Sequence, residues 1–216
     1  MKIISNIFSK GRQTKYFYGY KQNRANYYKQ HNRVVSNRVL GNLFVKATNL
    51  EIQSVVIEKI SPLNIELGSY YHEVLIAIED YRFELNKGIG QHHKVIFCRK
   101  KIGSYKFLTQ LHFYRNQLVY VKSDFDYLTI GNNSRTLLLN SLFNKYSIEG
   151  DYKMKKDIVL ADRENNIMTI LDNGKITLQY FAGDNELVDS LLSLNRLRGA
   201  NLNKQKEEYA LIQSVV

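Results

Sequence analysis

Phe107-Leu-Thr-Gln-Leu-His-Phe-Tyr-Arg-Asn-Gln-Leu-Val-Tyr-Val-Lys122 is the stretch from which the fold is read. Strand side chains alternate between faces, so Phe107, Thr109, Leu111 and Phe113 share one side, and Leu108, Gln110, His112 and Tyr114 the other. Arg115-Asn116-Gln117 breaks the alternation and turns the chain into Leu118 to Lys122, which makes a β-hairpin. Just upstream, the apolar run Val95-Ile96-Phe97-Cys98 reads as a buried strand, and Lys100 to Ser104 turns it into the hairpin.

Working outward, Ile65-Glu66-Leu67-Gly68-Ser69 reads as an extended piece leading to an N-cap serine. Tyr71, Val74, Leu75 and Ile78 then give a helix its apolar stripe, with its end near Tyr81 or Arg82. Between Asn37 and Ile60 the spacing fits a helix and a strand equally, and Pro62 closes that segment. The pattern recurs 65 residues on, where Ile130 and Ser134 precede a helix bearing Leu138, Leu139, Leu142, Phe143 and Tyr146. Strands follow at Ile158 to Leu160, Ile167 to Leu171 and Lys175 to Phe181, the last two joined by Asp172-Asn173-Gly174, a strong hairpin signal. A final helix from Asp184 or Asn185 carries Leu187, Val188, Leu191 and Leu192 and stops at Gly199 behind Arg196 and Arg198. The expected fold is α+β: antiparallel sheet built from two helix-plus-three-strand units, 63–123 and 128–181, with helices on one side.

That domain, 47–200, is preceded by a segment of a different kind. From Met1 to Lys46 there are ten Lys and Arg side chains and no carboxylate, the first acid being Glu51, so nearly all of the net charge of +11 lies there. Tyrosines stand between the cations. Lys10, Arg12, Lys15, Lys21, Arg24, Lys29 and Arg33 suit phosphate or carboxylate contacts, and Tyr16, Tyr18, Tyr27 and Tyr28 suit stacking or anchoring. Helical periodicity is poor before about Val34, so 1–46 reads as an irregular basic arm that orders on a partner, or else as a solvated tail. Residues 201–216 read as a charged tail or short helix.

Residues 63 to 123 resemble the tandem helix-plus-hairpin domains of beta-lactamase inhibitor protein and of small outer-membrane assembly lipoproteins. The Ile65 to Ser69 stretch before a helix and the later hairpin, Leu111 to Val121, carry the resemblance. It implies a surface for binding proteins rather than a catalytic pocket. The signal peptide and lipidation cysteine of the lipoproteins are not matched here.

Chemistry-bearing residues are few. His92 and His93, adjacent in a strand, would point to opposite faces and make poor joint metal ligands. His72 with Glu73 is a further pair. Cys98 and His112 would approach if their strands paired, giving a thiolate pair, although Cys98 in an apolar run is more often inert. Gly88-Ile89-Gly90 lacks the third glycine and the Lys-Ser/Thr ending of a phosphate loop. Glu79-Asp80, Asp124 with Asp126, and Asp162 with Glu164 read as solvated turn acids rather than a cation site. Tyr114, Tyr120 and Tyr127 would form a stacking platform on an open sheet face or serve simply as strand formers.

One cysteine in 216 residues precludes an intrachain disulfide, and no stretch approaches the roughly 18 apolar residues of a transmembrane helix. A soluble intracellular protein is expected, with no metal or cofactor. The leading expectation is a non-enzymatic binding or assembly protein of a large complex, such as a virion or ribonucleoprotein particle. Its domain would contact proteins while its arm contacts nucleic acid or an acidic partner surface. The alternatives are a protein-inhibitor or immunity-like module acting through its hairpins, and a cysteine-dependent enzyme.

Overall fold

The computed structural model describes residues 24–78, 81–86, 89–102, 105–125, 132–148, 157–172, 175–183 and 186–193. By its contacts the chain divides into two compact units, Met1–Arg33 and Val34–Val216. In the first, residues 24–31 form helix α1.

The second unit is α+β. Its elements run α2 (Asn37–Thr48), β1 (Ser54–Val55), a 3-10 turn (Pro62–Asn64), α3 (Tyr71–Ala77), β2 (Tyr81–Leu85), β3 (His93–Ile102), β4 (Tyr105–Tyr114), β5 (Gln117–Phe125), α4 (Asn132–Lys145), β6 (Asp157–Ala161), β7 (Ile167–Asp172) and β8 (Ile176–Phe181). Residues 186–193 form α5. All eight strands join one mixed sheet in the order β1-β6-β7-β8-β5-β4-β3-β2. The β1–β6 pairing is parallel and the others are antiparallel.

The hairpin that organises the sequence is β4–β5. Its turn is two residues, Arg115 and Asn116, with φ of 50° and 65°, the left-handed geometry that matches the twist of paired strands. Gln117 already belongs to β5. A bulge between His112 and Phe113 shifts the register from His112↔Tyr120 to Phe113↔Leu118. Beside the hairpin, β3 pairs along the whole length of β4 and runs on to Ile102, further than the expected turn at Lys100 allows.

The sheet is covered on both faces, not on one. Phe107, Leu111 and Phe113 of β4 lie in a core with Val74 of α3 and Leu139 of α4, beside Ile78 and Tyr146, which directly follow those helices. Tyr114 lies in the opposite core with Leu40, Phe44 and Ala47 of α2 and Val188 and Leu191 of α5. The central strands are buried on both sides, and each side requires its own cover. The two halves are also unequal. Four strands follow α3 and three follow α4, and β5–β8 pairing merges them into one sheet.

Four boundaries differ from those expected. Residues 34–46 belong to the folded unit, because α2 is capped by the Ser36 side chain, which accepts from the Val39 N–H, and buries Leu40 and Phe44. Helix α3 is preceded by Tyr70, not capped by Ser69. Glu73 Oε2 accepts from the Tyr70 N–H at 2.8 Å, and the helix ends at Ala77. Tyr81 and Arg82, expected near the end of that helix, instead begin β2, which pairs with β3. Ser134, expected as a cap, lies inside the first turn of α4, which starts at Asn132. Ile130, Asn173-Gly174, Gly199 and the 201–216 tail lie outside the described residues.

Among the described residues no helix is long and apolar enough to cross a membrane.

Candidate functional site

Of the predicted contact residues, Lys10, Arg12, Lys15, Tyr16, Tyr18 and Lys21 lie outside the described residues. Arg24, Tyr27, Tyr28 and Lys29 stand on α1, so this part of the arm is helical rather than irregular, and Arg33 closes the first unit. Helical spacing places i and i+4 side chains together. The Arg24 guanidinium stands over the Tyr28 ring at 6.0 Å, and the Tyr27 and His31 rings lie 4.1 Å apart. His31 Nδ1 is 2.8 Å from the Tyr27 carbonyl oxygen. Tyr28, expected to stack on a partner, is buried at 4% exposure, so its ring packs inside the protein, whereas Lys29 and His31 on the same helix are exposed.

The expected thiolate pair does not form. Cys98 pairs with Thr109 across β3–β4 and faces the α3–α4 core, fully buried. His112 pairs with Val95 and points to the opposite face, so sheet parity separates the two. His112 instead meets His93. His93 Nδ1 lies 3.0 Å from the Ile89 carbonyl oxygen, which only accepts, so that nitrogen carries the proton. The neutral ring then accepts at Nε2, and His112 Nδ1 donates to it at 3.1 Å. This leaves His112 Nε2 unprotonated, buried and without a hydrogen-bond partner. Burial lowers the His93 pKa to about 4. Burial, then the neighbouring His93 and the Lys122 charge, push His112 well below the ordinary histidine value. Both rings are therefore neutral at neutral pH.

His93 also walls a cleft of about 290 Å³, whose other lining residues are Asn86, Gly90, His92, Lys94, Arg115 and Asn116. The β2–β3 loop and the β4–β5 turn make it together. His92 adopts φ 59°, and its carbonyl accepts from the Arg115 N–H at 2.9 Å. Asn37 Nδ2 donates to the Gln91 carbonyl at 2.9 Å, fixing the loop to the start of α2. Gly90, at φ 122°, has no room for a side chain, since a Cβ would stand 2.5 Å from Asn37 Oδ1. Sequence reading took Arg115 and Asn116 only as turn residues and did not single out Lys94. Their convergence depends on the β3–β4 register.

Two of the acids expected as solvated turn residues, Asp162 and Asp124, are instead held in structural contacts. Asp162 is buried: Oδ1 accepts from the Glu164 and Asn166 N–H groups, and Oδ2 from the Ile60 N–H and Asn166 Nδ2, all at 2.8 to 2.9 Å. It ties the β6–β7 turn to residue 60 instead of standing solvated. Asp124 lies in β5 between Lys122, Lys175 and the Thr177 hydroxyl. Burial alone would raise its pKa, but the Lys122 hydrogen bond and charge, with Thr177 and Lys175, hold it below the usual carboxylate value. Tyr114 and Tyr120 are buried beneath the α2–α5 side and present no open platform. Tyr127, Asp126, Gly88 and Glu79-Asp80 lie outside the described residues. His72 stacks on Tyr70 at 6.1 Å, while its expected partner Glu73 binds the Tyr70 N–H. Among the described residues no three His, Cys, Asp or Glu side chains come together as a metal-binding group.

The chain matches no family model, and no curated protein or solved structure was found to be similar to it.

Proposed function

We propose that this chain is a non-enzymatic binding protein of a large assembly, a virion or ribonucleoprotein-like particle, that holds nucleic acid or an acidic partner surface through its basic N-terminal segment. The observation that carries the reading is the run of ten cations with no carboxylate before Glu51. A segment so one-sided is attracted to any dense array of phosphates or carboxylates. The unit boundary after Arg33 supports it, because it assigns eight of the ten cations to a unit of their own.

The folded unit supplies the protein contacts. Strand β1 ends the sheet, and around it Leu50, Ile52, Val55 and Ile57 are exposed, Val55 at 67% and Ile57 at 72%. Apolar side chains along a strand edge suit a protein neighbour. The hairpin-interface alternative has less surface to use, because β4 and β5 are buried on both faces and Arg115 and Asn116 at the tip are exposed.

Deleting residues 1–33 tests the reading. The expected result is an unchanged thermal unfolding midpoint and loss of binding to a single-stranded oligonucleotide and to polyglutamate. Binding that survives the deletion unchanged refutes it.

A further inference from the structure

The cleft between the β2–β3 loop and the β4–β5 turn is lined by two cations, Lys94 and Arg115. Lys94 Nζ donates to Asn116 Oδ1 at 3.1 Å and sits 4.5 Å from the Tyr71 ring centre. The Arg115 guanidinium lies 5.5 Å from the Tyr114 ring. Among the described residues neither is in an ion pair. Lys59, Lys122, Arg135 and Lys175, by contrast, are each bound to a carboxylate. Glu84 bonds the lining residue Asn86, whose Nδ2 lies 3.4 Å from it, and is also engaged by the Tyr71 hydroxyl at 2.8 Å.

The positions are built rather than incidental. The turn carrying Arg115 is held on one side by the His92 carbonyl and on the other by the Tyr71 N–H, which donates to the Asn116 carbonyl at 2.8 Å. The Asn116 amide presents its oxygen to Lys94, so its NH₂ points elsewhere as a donor. His93, with both ring nitrogens committed, forms a neutral wall. A point charge, a planar guanidinium and amide donors around a cleft of about 290 Å³ match an anion that accepts in several directions.

We propose that this cleft binds a phosphate group, as inorganic phosphate or as the phosphate of a nucleoside monophosphate, independently of the N-terminal segment. A carboxylate, planar and with a single charge, would use fewer of these donors.

The test is amide NMR of the full chain titrated with inorganic phosphate, with adenosine monophosphate and with adenosine. Gly90, His92, Arg115 and Asn116 amides are expected to shift saturably with both phosphate compounds. Lys94→Gln with Arg115→Asn, an exchange compatible with positive φ, should weaken the effect roughly tenfold or more while the rest of the spectrum is retained. Equal affinity for the two compounds identifies the phosphate group itself as what is recognised; tighter adenosine monophosphate binding identifies a nucleotide. The proposal is overturned if the shifts fall only within residues 1–46, persist in the Lys94/Arg115 variant, or appear with adenosine alone.

Discussion

His93 Nε2 and His112 Nδ1 stand 3.1 Å apart as diagonal neighbours on β3 and β4, both rings buried and neutral. Charging either ring inside the sheet is costly, and the consequence is a pH dependence with a definite sign. The His93 pKa is about 4 in the folded chain, against the ordinary 6.5. Between these values the unfolded chain binds more protons, so the stability is complete above about pH 6.5 and falls as pH drops towards 4. His93 alone accounts for about 3 kcal/mol across that window. Urea unfolding at about pH 7.5 and about pH 5 should show about 2 kcal/mol of that loss. The difference between the two should shrink in His112→Phe, whatever that variant's offset at the higher pH. An undiminished difference would remove the pair as its source.

Asp162 is the second buried centre. Its carboxylate accepts four hydrogen bonds, including the Ile60 N–H from a distant part of the chain. Asp162→Ala strands those donors in a buried turn, and each orphaned buried donor costs on the order of 1 kcal/mol or more. A loss of about 3 kcal/mol in urea unfolding is expected, with Asp162→Asn intermediate. A loss below about 1 kcal/mol would mean that the turn is not organised by this side chain.

Cys98 should behave as an inert core residue. Fully buried on the α3–α4 side, it should label with a thiol reagent only as fast as the domain unfolds, and at the full rate in denaturant. Rapid labelling of the native chain would revive a reactive-thiol role.

The parts of the fold legible in the sequence are those whose pattern has one explanation. The hairpin at 107–122 alternates between bounding turn residues, and Val95 to Cys98 is too apolar to be anything but buried. The three strands after residue 157 fall where expected. The α2 segment was illegible because its cationic face masks the spacing of Leu40, Phe44 and Ala47, whose burial depends on the sheet beneath them. Strand β2 was lost because Tyr81 to Leu85 directly follows a helical stripe, and an edge strand adds little pattern of its own. The Cys98–His112 pair failed on parity: knowing that two strands pair does not fix which faces two residues share until the register is known. The cleft was invisible for the same reason, since Lys94 and Arg115 meet only through that register.

The most direct test of the central claim is the salt dependence of binding by the full chain to a single-stranded oligonucleotide. If the basic segment engages about five phosphates, log K should fall with log salt with a slope of roughly −3 to −4. A slope near zero, or no binding at low salt, would contradict the claim that the basic segment is the functional element.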